Sequence, residues 1–191
     1  MVRGGVTVLY AHWEGFVKAA AVCYLEYVAR QHLVYRELTV PFRALAAKAK
    51  LDAAAQSNKP QIFIAATKFI LNQQDERSSI PWQNAINTRS NLNSSVLKEI
   101  VVLLGLDYSP YVTKEKLIDQ TLLRFRNNIA HGKGLSLTHE QFEELYREIV
   151  TLMDIFRAQV ENATVMQAFR VRQGVVRSHS PSSISVARID F

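Results

Sequence analysis

One stretch, Arg126-Asn127-Asn128-Ile129-Ala130-His131-Gly132, carries more chemistry than any other in the chain. Arginine is a permanently charged fork shaped to grip a phosphate. Histidine exchanges protons near neutral pH. Asn127, a neutral donor and acceptor between them, can hold either group in place. Cleaving a phosphodiester without a metal calls for these parts, a proton carrier and a cation facing the negative phosphoryl oxygens. The same string also describes an ordinary helix C-terminus. Cations there complement the helix dipole, and Gly132 or Gly134 supplies a left-handed cap.

These residues have to be positioned by helices. The chain has 191 residues, nearly half of them hydrophobic, enough for one domain or one domain with an appendage. Seven glycines and five prolines are few, which favours helices over a turn-rich β fold. Lys and Arg number 23 against 17 Asp and Glu, a net charge of +6 that permits a polyanionic partner without demanding one. Cys23 is the only cysteine, so an intrachain disulfide is excluded and a cysteine-built zinc site is not expected. The apolar run at the N-terminus is broken by His12, Glu14 and Lys18, so neither a secretory signal nor a membrane span is expected. A cytoplasmic protein is the default. No Gly-rich phosphate loop, internal repeat or zinc-like His/carboxylate spacing occurs, so neither a cofactor nor a metal is expected.

In chain order, residues 6 to about 36 read as one long amphipathic helix on the three- and four-residue steps of Leu9, Trp13, Phe16, Val17, Ala20, Tyr24 and Val28. Gly15 is a flaw in it that a closely packed backbone would excuse. Residues 42 to about 55 read as a second, Ala-rich helix. Residues 61–71 lean towards helix, with Ile62 to Ile64 as an alternative edge strand. Residues 72–95 are polar around Pro81-Trp82, so 60–92 reads as an insertion between helices, with Trp82 anchoring it. Asn93 or Ser94 caps a helix that Gly105 ends. Pro110 and Thr113 introduce the motif helix, whose stripe is Ile118, Leu122, Phe125 and Ile129. Thr138-His139-Glu140-Gln141 is a capping box that opens the last long helix, with His139 at the surface. From about 170 onward, four arginines, one aspartate and five serines make a basic tail: a solvated tail, an arm for RNA or a strap for a partner. The reading is an all-α bundle of four to five helices over 1–169, a polar insertion at 60–92 and a basic Ser-rich tail at 170–191. The helices at 6–36 and 138–168 should pack together.

Arg126, a polar Asn127 and His131 five positions on resemble the signature of the HEPN superfamily, Arg followed by four to six residues and His. Many members of that superfamily are metal-independent endoribonucleases. Trp13-Glu14-Gly15 on the first helix, and Asn91-Leu92-Asn93 through Leu104-Gly105-Leu106-Asp107, resemble one bacterial HEPN nuclease group of the toxin or defence type. The resemblance makes Glu14 and His12 supporting candidates, and Asn128 and Lys133 flank the motif. It implies an RNA substrate, with Arg126 gripping the scissile phosphate, His131 moving protons and Asn127 orienting one or the other. In HEPN toxins silenced by a nucleotidyltransferase partner a tyrosine stands two residues after the histidine. Lys133 occupies that place here, which argues against that mode of silencing and leaves an antitoxin protein as a candidate partner only.

Five steps of 100° set Arg126 and His131 about 140° apart on a straight helix. Cooperation then requires the helix to fray before His131, or the two residues to serve different copies of the site. Cleavage through a cyclic phosphate also needs both a base and an acid, and one chain offers one obvious histidine. A twofold homodimer with the two motif helices in one cleft meets both demands, and the resemblance implies the same assembly. A helical RNA- or protein-binding module without catalysis is the alternative.

Overall fold

The computed structural model describes residues 2–131 and 137–172. Gly132, Lys133, Gly134 and the tail beyond Arg172 lie outside them. The fold is all-α: among the described residues there is no strand, only two isolated bridges, Val34 with Arg77 and Leu38 with Arg170.

Its spine is a pair of long helices, α1 (Val2–Arg30) and α7 (His139–Val165). They pack along each other as their apolar stripes require. On α1 the buried line runs through Leu9, Trp13, Val17, Tyr24 and Val28; on α7 it runs through Leu145, Ile149, Leu152 and Phe156. The capping box at the start of α7 is complete, with the Thr138 hydroxyl accepting from the Gln141 N–H at 3.3 Å and the Gln141 side chain accepting from the Thr138 N–H at 3.0 Å. Close approach happens at Gly5, not Gly15. A Cβ on Gly5 would stand 2.8 Å from the Phe142 ring, whereas one on Gly15 meets nothing within 4 Å. Gly15 is therefore an unexcused gap in helix propensity.

α1 ends at Arg30, six residues before its apolar pattern does. His32 takes a left-handed backbone at φ 51, which turns Leu33 and Tyr35 into the core. The chain continues through a 3-10 turn, Tyr35–Glu37, into α2 (Val40–Ala55) and α3 (Pro60–Asn72). Pro60 opens α3 at its first turn, where a missing N–H costs nothing. The segment that could have been an edge strand is thus a helix, packed on α2.

Residues 73–93 are not a surface embellishment alone. Ile80, Ile86 and Leu92 are buried with the main core, and Trp82 is partly buried against it. Asn93 then caps α4 (Ser94–Leu103), its side-chain oxygen accepting from the Val96 N–H at 2.8 Å.

The motif helix is not one regular element. A short α5 (Ser109–Val112) precedes a π-helical stretch, Leu117–Leu123, which runs on into α6 (Arg124–Ala130). Within the stretch Ile118, Leu122 and Leu123 are all buried. Wider i→i+5 winding advances the register beyond it. Phe125 and Ile129, which a straight α-helix would bury, are only half-buried, and Arg126 turns towards α1 instead.

Candidate functional site

The site begins on α1. Tyr10 is buried, and its hydroxyl accepts the Leu92 N–H at 2.7 Å across 82 residues of chain. One helical turn later Glu14 offers its carboxylate to the same hydroxyl. Burial chiefly, with the Glu14 charge adding to it, pushes Tyr10 up to about 12, against the opposing pull of the Leu92 N–H. The phenol is therefore neutral at any working pH and serves as a fixed platform.

Arg126 lies on that platform, its guanidinium carbon 5.0 Å from the centre of the Tyr10 ring. Nη1 donates to Asn127 Oδ1 at 2.9 Å, and Nη2 points to the Ser90 carbonyl at 3.4 Å. These bonds engage two of the guanidinium's five N–H donors, so the rest of the fork remains available to an oxyanion. The Ser90 carbonyl is held out by an unusual turn. Arg89 and Ser90 both adopt left-handed backbone, at φ 56 and 50, a conformation that costs non-glycine residues about 1–3 kcal/mol each. The flanks fix the turn: the Arg89 N–H donates to Asn87 Oδ1 at 2.8 Å, the Asn91 N–H donates to the Thr88 carbonyl at 3.0 Å, and Leu92 is wholly buried.

His131 stands at the C-cap of α6, with its N–H donating to the Asn127 carbonyl at 3.0 Å. The helix does not unwind before it. Its side chain is exposed and bonds to no described residue, and no hydrogen bond joins it to Arg126 within the protomer. Asn127 links the two, its side chain to the arginine and its backbone to the histidine. Of the routes to cooperation open to the sequence, fraying ahead of the histidine is therefore not the one taken.

The supporting candidates separate. Glu14 joins the Tyr10–Arg126 cluster. His12, two residues from Tyr10 and so about 200° around α1, opens instead onto a groove with Val8, Phe142 and Tyr146 at the α1–α7 seam. Asn128 is half-buried and makes no side-chain hydrogen bond to a described residue. Lys133 lies outside the described residues. Sequence reasoning missed Tyr10 and the Ser90–Leu92 backbone. The four-residue step from Tyr10 to Glu14 was a usable sign of the first, and nothing local announced the second. Among the described residues no cluster of three His, Cys, Asp or Glu side chains could hold a metal ion. No helix among them is long and apolar enough to cross a membrane.

No curated protein and no solved structure matches the chain. A model of the HEPN_MAE_28990-like HEPN family matches residues 1–169, a span that includes the Tyr10 platform, the Ser90 turn and the whole Arg126–His131 motif. The chain therefore belongs to the HEPN_MAE_28990-like HEPN family.

Proposed function

We propose that the protein is a metal-independent endoribonuclease working as a homodimer, and that it serves as a toxin or antiphage effector. HEPN domains point in general to nuclease-type or RNA-related work. The observation that carries the finer reading is Arg126. A guanidinium held on a neutral aromatic face, with donors to spare, sits five residues from an exposed histidine on the same short helix.

The chemistry follows from those parts. Arg126 binds the non-bridging oxygens of the scissile phosphate and stabilises the charge that grows on them. A histidine takes the 2′-hydroxyl proton as that oxygen bonds to phosphorus. The bond from phosphorus to the 5′-oxygen breaks, and a second proton carrier supplies the leaving oxygen. Products are a 2′,3′-cyclic phosphate and a 5′-hydroxyl. Two copies of His131 facing each other across a twofold axis fill the roles of base and acid. The intact last turn of α6, which keeps His131 about 140° from Arg126, supports this division of labour. Asn127 holds the arginine in line. Single-stranded RNA suits the site, because its 2′-hydroxyl and phosphates are accessible. An antitoxin protein would be the natural partner of such an activity.

Incubating the purified protein with RNA in EDTA tests the reading. Wild type should cleave, and His131→Ala and Arg126→Ala should not. Retained cleavage in His131→Ala would refute the assignment. Mixing tests the composite site: a heterodimer of wild type with His131→Ala should be nearly inactive, whereas half activity would mean that each protomer works alone.

A further inference from the structure

The net positive charge of the chain is not spread over it. Residues 34–72 and 170–172 hold eight Lys and Arg against two acids, Glu37 and Asp52, a balance of six. This equals the excess of the entire chain, so everything else sums to zero. The two segments are neighbours in space. The Thr39 N–H donates to the Phe169 carbonyl and the Val171 N–H to the Glu37 carbonyl, each at 2.8 Å, with Leu38 and Arg170 bridged between them.

This pairing gathers four arginines around two adjoining depressions. Arg36 and Arg170 line one; Arg43, Arg170 and Arg172 line the other. Their charges are largely unspent. Arg36 pairs with an exposed Asp75, and Arg43 bonds only the neutral Gln74 side chain, at 3.2 Å. Among the described residues neither Arg170 nor Arg172 meets a carboxylate, and Arg170 Nε is buried with no acceptor at all. Glu37, the acid in the midst of them, gives a carboxylate oxygen to the Val34 N–H at 3.1 Å. Of the four forks only Arg36 has a carboxylate partner among the described residues, so the outward-facing guanidinium N–H groups of this cluster can take an oxyanion from outside.

Taking the substrate class from the reading above, we infer that Arg36, Arg43, Arg170 and Arg172 form a second binding site for the phosphate backbone of single-stranded RNA, remote from Arg126. Helix α1 measures the separation. Tyr10 carries Arg126, and Tyr27, seventeen residues on, packs edge-to-face on Phe169 beside the arginines. At 1.5 Å per residue the two ends lie about 25 Å apart, the length of about seven stacked nucleotides at 3.4 Å each. The site anchors long RNA while Arg126 works on a distant bond. Charge argues against a second copy of the chain on this face, since like would meet like.

The test is binding of a fluorescein-labelled twenty-nucleotide single-stranded RNA to the full chain carrying His131→Ala, titrated across a range of salt. Adding Arg170→Gln and Arg172→Gln should weaken binding about tenfold and flatten the slope of log affinity against log salt by about 0.7 per arginine. The paired Lys replacements should retain the slope. If the Gln pair fails to fold by circular dichroism, Arg36→Gln with Arg172→Gln, both exposed, carries the same expectation. An unchanged slope, or poly-glutamate of equal charge binding tighter than the RNA, would each overturn the site. Cleavage is scored apart from this. RNA that binds here yet survives wild type in EDTA defeats the nuclease reading alone, and RNA that is cleaved while the slope stays put defeats this site alone.

Discussion

The Tyr10–Arg126 end of the molecule and the α2–α3 pair treat their apolar residues in opposite ways. Around Arg126, Tyr10, Trp13 and Leu92 are almost wholly buried, and the Tyr10 hydroxyl and the Arg126 guanidinium are each held by hydrogen bonds. The Trp13 indole N–H is buried without an acceptor among the described residues. On α3 only Ala66 is buried, while Phe63, Ile64, Ile70 and Leu71 are 46%, 52%, 44% and 67% exposed. Of these Ile70, with Phe69, borders an apolar groove of about 360 Å³ between α2 and α3, shared with Val40 and Leu51 and fringed by Arg43. The same residue types thus build a rigid mount at one end and an open face at the other. Exact placement of a guanidinium needs a packed support, whereas helices that pack mostly on each other keep a surface free for contact.

The contrast breaks most visibly at Trp13. Replacing this fully buried indole with alanine should cost about 3–5 kcal/mol in urea unfolding, and a loss under 1 kcal/mol would mean that the mount is looser than its packing indicates. Tyr10 sharpens the point, since ring and hydroxyl have different jobs. Tyr10→Phe keeps the face under Arg126 but leaves the Leu92 N–H without its acceptor, so stability should fall by about 1–2 kcal/mol while cleavage stays within a few-fold. Tyr10→Leu removes the face as well, and kcat/KM should drop about tenfold further, the equivalent of a half-buried cation–π contact. Equal activity in the two variants would deny the platform its role.

Alkaline pH probes the same mount. Burial raises Tyr10, and also Tyr24, Tyr108 and Tyr111, above the ordinary tyrosine value of 10. The folded state therefore holds protons that the unfolded chain gives up from pH 10. Their contribution is complete below pH 10, and for Tyr10 it is lost as pH climbs to about 12. Melting temperature should decline through that window, less steeply in Tyr10→Phe. The smallest effect belongs to the open face, where Phe63→Ser or Leu71→Ser should change stability by about 0.5 kcal/mol or less. A loss comparable to that of Trp13→Ala would show that α3 is core after all.

Sequence disclosed the two ends unequally. The stripes of α1 and α7, the capping box at Thr138 and the cap at Asn93 are local patterns, and each stands where its residues indicated. Arg126, Asn127 and His131 were legible as types and spacing, and Glu14 as a neighbour through the family resemblance. What hid was whatever depends on distant contact. Ile80, Ile86 and Leu92 are isolated apolar residues in a polar run, and only the meeting of Leu92 with Tyr10 shows that the run belongs to the core. The π-helical stretch hid as well, because the stripe through Ile118 and Leu122 reads the same until the register has moved. For α3, propensity distinguished helix from strand but could not show that its apolar face would stay open. The Arg36–Arg172 cluster is divided between segments more than a hundred residues apart, so no window of sequence contains it.

The central claim is that Arg126 and His131 cleave RNA through its own 2′-hydroxyl without a metal. End-group analysis of the fragments made in EDTA tests it most directly. The account predicts 2′,3′-cyclic phosphate and 5′-hydroxyl ends from wild type, formed about a thousandfold more slowly by His131→Ala. Fragments ending in 3′-hydroxyl and 5′-phosphate, or cleavage that stops on chelation, would contradict it.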